Sequence, residues 1–120
     1  MSVMDTPTPL TPAVFYILLA LATGEKHGYG IMKQVRADSN GAVKMGNGTM
    51  YGSLKRMLAV NLIAEAGDRI DPRMDDERRR YYGLTERGRE ALNAEMARYA
   101  ETVAILRKRN LIAHTVGDTN

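Results

Sequence analysis

Residues Gly46–Leu58 read GNGTMYGSLKRML, and the first seven of them hold three glycines and one asparagine. With successive helical residues about 100° apart, Met50, Leu54, Met57 and Leu58 share one face, which the pattern assigns to the core. The opposite face collects Gly48, Thr49, Gly52, Lys55, Arg56 and Ala59. Small residues toward the start and basic ones a turn or two on let such a helix sink into a groove, with Lys55 and Arg56 within reach of phosphates or base edges. A bare helix start also presents free N–H groups and a positive dipole end to an anion. Tyr51 sits at the boundary, where its ring can pack inward while its hydroxyl reaches a phosphate. Glycines at a helix start also serve tight turns, and a Lys-Arg pair is also an ordinary solvated face. What flanks the stretch therefore decides its meaning.

Upstream, Thr11-Pro12 predicts a helix start, since Thr caps and Pro at the first helical position loses no needed hydrogen bond. That first helix should end at Gly24. A second helix is expected over Tyr29–Ala37, with Tyr29, Met32 and Val35 on one stripe, broken by Ser39-Asn40-Gly41. The quoted helix should run to about Val60 and stop at Asn61. Downstream, Leu62–Ala66 reads as a short strand, Gly67–Glu77 as a loop of mixed charge and Arg78–Leu84, RRRYYGL, as the returning strand. Thr85 should cap a long helix to about Arg109, and the tail HTVGDTN reads as frayed. The fold expected is mainly α with a small β-hairpin: a winged helix-turn-helix over residues 1–84, then a dimerisation helix and tail over 85–120.

Composition bounds the alternatives. The chain has 120 residues, enough for one domain with little surplus surface to bury, and its 44% hydrophobic and 26% charged residues are ordinary for a soluble protein. Zero cysteines exclude disulfides, thiolate metal sites and cysteine nucleophiles, and fit the cytoplasm. A net charge of +3 and a pI near 9.3 favour a polyanionic partner only mildly. The apolar run Ala13–Ala22, AVFYILLALA, lacks preceding basic residues and at ten residues falls far short of the roughly 20 needed to cross a bilayer, so a buried helix is expected and no membrane role.

HGYGIMKQV at His27–Val35, GNGTMYGSLKRML, NLIAEA at Asn61–Ala66 and RRRYYGLTERGREAL at Arg78–Leu92 together resemble the PadR family of bacterial transcriptional regulators. The resemblance spans nearly the whole chain and implies a homodimeric winged-helix repressor. Its third helix would enter the major groove, its wing would touch the flanking backbone, and its C-terminal helix would build the dimer, the short arm being similar to the family's smaller subtype. Double-stranded DNA is then the partner, and Asn47, Gly48, Thr49, Tyr51, Gly52, Lys55, Arg56, Arg78, Arg79 and Arg80 are the candidate contacts. Three features depart from the pattern. Gly46-Asn47-Gly48 stands where the family has serine-proline, leaving the cap to Asn47 or Gly46. Gly52 stands where proline often follows the tyrosine, at a cost on the order of 1 kcal/mol relative to alanine inside a helix. The wing carries Asp68, Asp71, Asp75, Asp76 and Glu77, an acidic tip that DNA would repel, so its contact is expected from the wing base at Arg78–Arg80.

Along the last helix, Leu92, Met96, Tyr99, Val103 and Leu106 are spaced four, three, four, three, the a/d seam of a coiled coil. The seam can fold back on its own domain. Otherwise helix one and the same helix of a second subunit cover it, giving a two-fold dimer whose recognition helices sit about 34 Å apart on a palindrome. Catalysis finds little support: His27 and His114 are far apart, no Ser-His-Asp arrangement can be placed, and a metal site lacks a third and fourth ligand. GEKHGYG at Gly24–Gly30 is not a phosphate-cradling loop, because it follows a helix rather than a strand. His27 is left with a turn or packing role. No cofactor is expected. Two functions remain: a DNA-binding repressor, releasable by a small-molecule effector held between the dimer's helices, or a winged-helix protein-interaction module without DNA binding.

Overall fold

The computed structural model describes residues 10–73 and 78–113; the wing residues Asp75, Asp76 and Glu77 and the tail from His114 onward lie outside them. Four helices and a three-stranded antiparallel sheet form a winged helix. Helix α1, Pro12–Leu21, opens with Thr11 Oγ1 accepting the Val14 N–H at 3.2 Å. It ends at Leu21 rather than reaching Gly24, because Lys26 and His27 turn off as a strand, β1. Phe15, Ile17, Leu18, Ala20 and Leu21 are buried, as a core helix requires, and no helix among the described residues is long and apolar enough to cross a membrane.

Helix α2, Gly28–Asp38, starts one residue earlier than the sequence pattern suggested. Its buried stripe is Gly28, Ile31 and Val35, spaced three and four, with Met32 half-buried beside it. Tyr29 is a correction: it stands 43% exposed on the outer face, with the Lys33 Nζ 5.5 Å from its ring centroid. Asn40 and Gly41 take positive φ and end the helix as expected. Helix α3, Asn47–Ala59, is the quoted stretch, and Asn61 at φ 66° stops the chain after it. Met50, Leu54 and Met57 are buried, Leu58 half-buried, and Ser53 is buried beside them.

The wing departs most from the sequence reading. Strand β2 covers Ile63–Ile70 rather than stopping at Ala66, and pairs with β3, Arg78–Leu84, from Ile63 opposite Leu84 to Ile70 opposite Arg78. A register shift between Glu65 and Asp68 lets the pairing continue past Gly67, whose φ is +94°. The sheet has a third strand that a two-stranded hairpin omits: β1 pairs with β3 through Lys26 opposite Tyr82 and His27 opposite Tyr81, in the order β1-β3-β2. Two residues carry no readable alternation, so their strand character comes from the β3 edge alone.

Helix α4, Glu86–Lys108, is capped by Thr85, whose Oγ1 accepts the Gly88 N–H at 3.0 Å and donates to the Asn61 carbonyl at 2.7 Å. Gly88 lies against the Leu62 backbone so closely that any Cβ there would overlap the Leu62 carbonyl. The helix start is thus seated on the chain that leaves α3. Along α4, Leu92 is 1% exposed in the core of its own chain, and Phe15 meets Tyr99 edge-to-face at 5.0 Å between ring centroids. Buried Glu95 accepts from the Leu10 N–H at 3.4 Å and from Arg98 at 3.2 Å.

Candidate nucleic-acid interface

The outer face of α3 is as bare as its residues suggested. Asn47, Gly48, Thr49, Lys55, Arg56 and Ala59 are exposed and Gly52 is half-exposed. The N-cap is Gly46, which makes no side-chain cap bond, so the residue before the helix supplies nothing to its first N–H groups. A Cβ at Gly48 would meet nothing within 4 Å. Arg56 leans back toward the helix start, as helical geometry favours: its guanidinium donates to Ser53 Oγ at 3.3 Å and passes 3.5 Å from where a Gly52 Cβ would be. Small residues and a cation thus share one surface, and the cation lies over the small residues.

Tyr51 is 51% exposed, and its hydroxyl end lies over the start of α2. It rests on Gly28 at the start of α2, where a Cβ would come within 2.5 Å of the hydroxyl oxygen. Glycine at 28 is what permits that approach. Tyr51, Gly28, Tyr29, Tyr82 and the run Arg78–Arg80 line a cleft of about 170 Å³ between α3 and the wing. Burial first, and then the neighbouring Tyr51, raises the Tyr82 phenol above its ordinary range.

The three wing arginines occupy different surroundings. They are not at the wing base: Arg78 faces Ile70 on the outermost described rung and Arg80 faces Asp68, because β2 extends further than expected. Arg80 is matched by carboxylates, with Glu65 at 3.2 Å and Asp68 at 3.5 Å, and those two raise its already high pKa. Arg78 is exposed and reaches only the Asp68 carbonyl, at 3.4 Å, among the described residues. Arg79 is half-buried. On the same wing Arg69 pairs with Glu25 at 2.6 Å and lies 3.9 Å over the Tyr81 ring.

Asp71 is a second correction. Read as part of a repelling acidic tip, it is instead 4% exposed and turned inward, its Oδ2 3.0 Å from His27 Nε2. The hydrogen bond from His27 foremost, then those from Arg73, hold its carboxyl well below the usual carboxylate range despite its burial. His27 matches its expected turn role: its Nδ1 accepts the Gly30 N–H at 3.1 Å as the cap of α2. Its tie to Asp71 was not legible, because the two are 44 residues apart and histidine is not a favoured N-cap. Among the described residues no three His, Asp or Glu side chains converge to hold a metal ion.

On α4, Leu92 belongs to the chain's own core, so the part of the seam left open begins at Met96 (40% exposed) and Tyr99 (44% exposed) and continues through half-buried Val103 and Leu106.

Comparison with known proteins agrees with this architecture. The sequence profile of the Transcriptional regulator PadR-like family matches residues 17–94, from α1 into α4. The chain belongs to that family. Among solved structures, a PadR family transcription regulator from hypervirulent Clostridium difficile is 28% identical, with a TM-score of 0.66 over 82% of this PadR-like chain and 97% of that one. A Streptococcus mutans protein of 18% identity shares the fold over 93% of this chain and 100% of its own, with a TM-score of 0.65. The fold also matches Bacillus subtilis PadR, whose structure is a complex with operator DNA, at 20% identity and a TM-score of 0.56 over 89% of this chain and 51% of that one. No curated protein sequence matches this chain.

Proposed function

We propose that this PadR-like protein binds double-stranded DNA in a sequence-specific manner as a homodimer and acts as a transcriptional repressor in the cytoplasm. The observation that carries the reading is the outer face of α3: an uncapped start, glycines at 48 and 52, and Lys55 and Arg56 without a carboxylate partner among the described residues. A helix of this kind lies in the major groove with Asn47, Gly48, Thr49 and Gly52 close to the backbone and Lys55 and Arg56 reaching phosphates or base edges. Arg78 on the outer wing meets the flanking phosphates, with Arg79 and Arg80 contributing less, since Glu65 and Asp68 already neutralise Arg80. That Bacillus subtilis PadR is a complex with operator DNA supports the reading at the level of the shared fold.

Residues 85–120 then serve as the dimerisation element. Met96, Tyr99, Val103 and Leu106 of one protomer meet a partner's α1 and α4, and the two α3 helices read the halves of a palindrome. The same apolar junction is where a small-molecule effector would act, by binding one spacing of the recognition helices better than the other. The test is a titration of the purified protein against duplex DNA from upstream of its own gene and against scrambled DNA. Binding to the first should be tighter and should weaken with added salt at a log–log slope near −0.9 per phosphate contacted. A salt-independent affinity, or none for either duplex, would favour the second reading, a winged-helix protein-interaction module. That reading draws on the carboxylate-matched Arg80.

A further inference from the structure

The His27–Asp71 pair joins two elements that the DNA-binding reading uses separately. His27 precedes α2, and Asp71 follows directly on Ile70, the last residue of β2. Because Nδ1 accepts the Gly30 N–H, that nitrogen carries no proton, and the neutral ring must hold its proton on Nε2 and donate it to Asp71 Oδ2. The other Asp71 oxygen accepts the Arg73 backbone N–H at 3.0 Å and Nε at 3.2 Å. Both the imidazole and the carboxylate side chains are only 5–6% exposed, and the Tyr81 ring meets the imidazole edge-on at 5.2 Å. Every polar atom of the pair therefore has a directed partner. Buried hydrogen-bonded groups of this kind add little net stability over an apolar pair, but they fix geometry.

That geometry is the pitch of the wing. Beyond the two rungs that join β1 to β3, the described residues place two side-chain ties between the outer wing and the helix-turn-helix, the half-exposed Arg69–Glu25 ion pair and the His27–Asp71 bond, and of these two the second is the one buried from solvent. Ile70 pairs with Arg78, so the anchor lies one residue from the rung that carries Arg78. We propose that His27 and Asp71 are positioning residues for DNA binding: they touch no DNA, and they hold the wing at the angle to α3 that brings Arg78 to a phosphate. The proposal rests on the DNA-binding reading for its consequence, but its geometry can be tested without DNA.

The chain has no cysteine, so Asp38→Cys on α2 and Ile70→Cys on the wing, both at exposed positions, accept a spin-label pair without interference. Labelled protein diluted into unlabelled protein gives the within-chain distance by pulsed electron resonance. Asp71→Ala should broaden and shift that distance distribution, and should make the salt slope for duplex DNA shallower by roughly 0.9 per subunit, the loss of one phosphate contact. Asp71→Asn, which still offers an acceptor to His27, should restore the narrow distribution and most of the slope. If Asp71→Ala fails to fold, His27→Asn decides the matter, because it keeps an acceptor for the α2 cap and removes the Nε2 donor. A folded variant with an unchanged distance distribution overturns the proposal, whatever happens to DNA binding. Wild-type protein that binds no duplex overturns the DNA-binding reading, while the distance measurement still judges the anchor.

Discussion

Gly28→Ala is expected to separate DNA binding from folding. The new methyl carbon would lie 2.5 Å from the Tyr51 hydroxyl oxygen and 2.8 Å from its Cζ, against an ordinary contact of 3.4 Å or more. The obstacle is the far end of a half-exposed side chain, so Tyr51 can yield by swinging its tip by about 1 Å, at an off-rotamer cost of about 0.5–1.5 kcal/mol. Replacing glycine by alanine in a helix returns about 0.5–1 kcal/mol, so the net change in stability should stay within about 1 kcal/mol. The displaced ring lies in the cleft between α3 and the wing, where duplex DNA would pack. We expect about a tenfold loss of affinity for the upstream duplex, worth about 1.4 kcal/mol. Gly88→Ala is the contrasting case, since its methyl group meets the Leu62 backbone carbonyl and neither side can swing away. Overpacking at about 1–3 kcal/mol, with the Thr85 bonds to Asn61 and Leu62 strained at about 1 kcal/mol each and roughly 1 kcal/mol recovered in helix propensity, gives a net loss of about 2–4 kcal/mol. Urea unfolding at one fixed protein concentration and DNA titration by fluorescence anisotropy measure both quantities. Equal stability losses in the two variants, or an affinity loss in Gly28→Ala no larger than its loss of folded protein, would refute the reasoning.

Val103→Glu, at a half-buried seam position, should give folded monomers by light scattering, whereas Leu92→Glu, which puts a charge into the core of a single chain, should be largely unfolded. A Val103→Glu protein still dimeric at micromolar concentration would show that the seam is not the interface. Arg56→Ala should lower affinity for the operator more than for scrambled DNA, by roughly 1–3 kcal/mol of discrimination, and Arg78→Ala should lower both alike. An unchanged operator-to-scrambled ratio in Arg56→Ala would reduce Arg56 to a phosphate anchor. Because the Asp71 carboxyl is held below its unfolded value near 3.9, its stabilisation is complete above about pH 4 and is lost as the pH falls further. Urea midpoints of wild type should therefore fall more steeply below about pH 4 than those of Asp71→Asn, and parallel curves would contradict the assignment.

Local physics made much of this protein legible in its amino acids alone. Caps at Thr11 and Thr85, stops at Asn40-Gly41 and Asn61, and the Met50, Leu54 and Met57 stripe each depend on residues within a turn of one another. The bare outer face of α3 is legible for the same reason: helical periodicity alone sets which residues share it. The decisions that failed were those that depend on distant partners. Tyr29 left the predicted stripe because Gly28 and Ile31 fit closer against neighbouring elements. Leu92 left the predicted dimer seam because the chain's own core reaches the first turns of α4. Strand β1 exists through pairing with Tyr81 and Tyr82, and β2 runs on to Ile70 through a bulge that no alternation pattern announces. Asp71 shows the division most clearly. In sequence it is one carboxylate among the charges of a loop, with nothing nearby to mark it. Its burial, its depressed pKa and its role as an anchor all come from His27, 44 residues away, which only the folded chain brings to 3.0 Å.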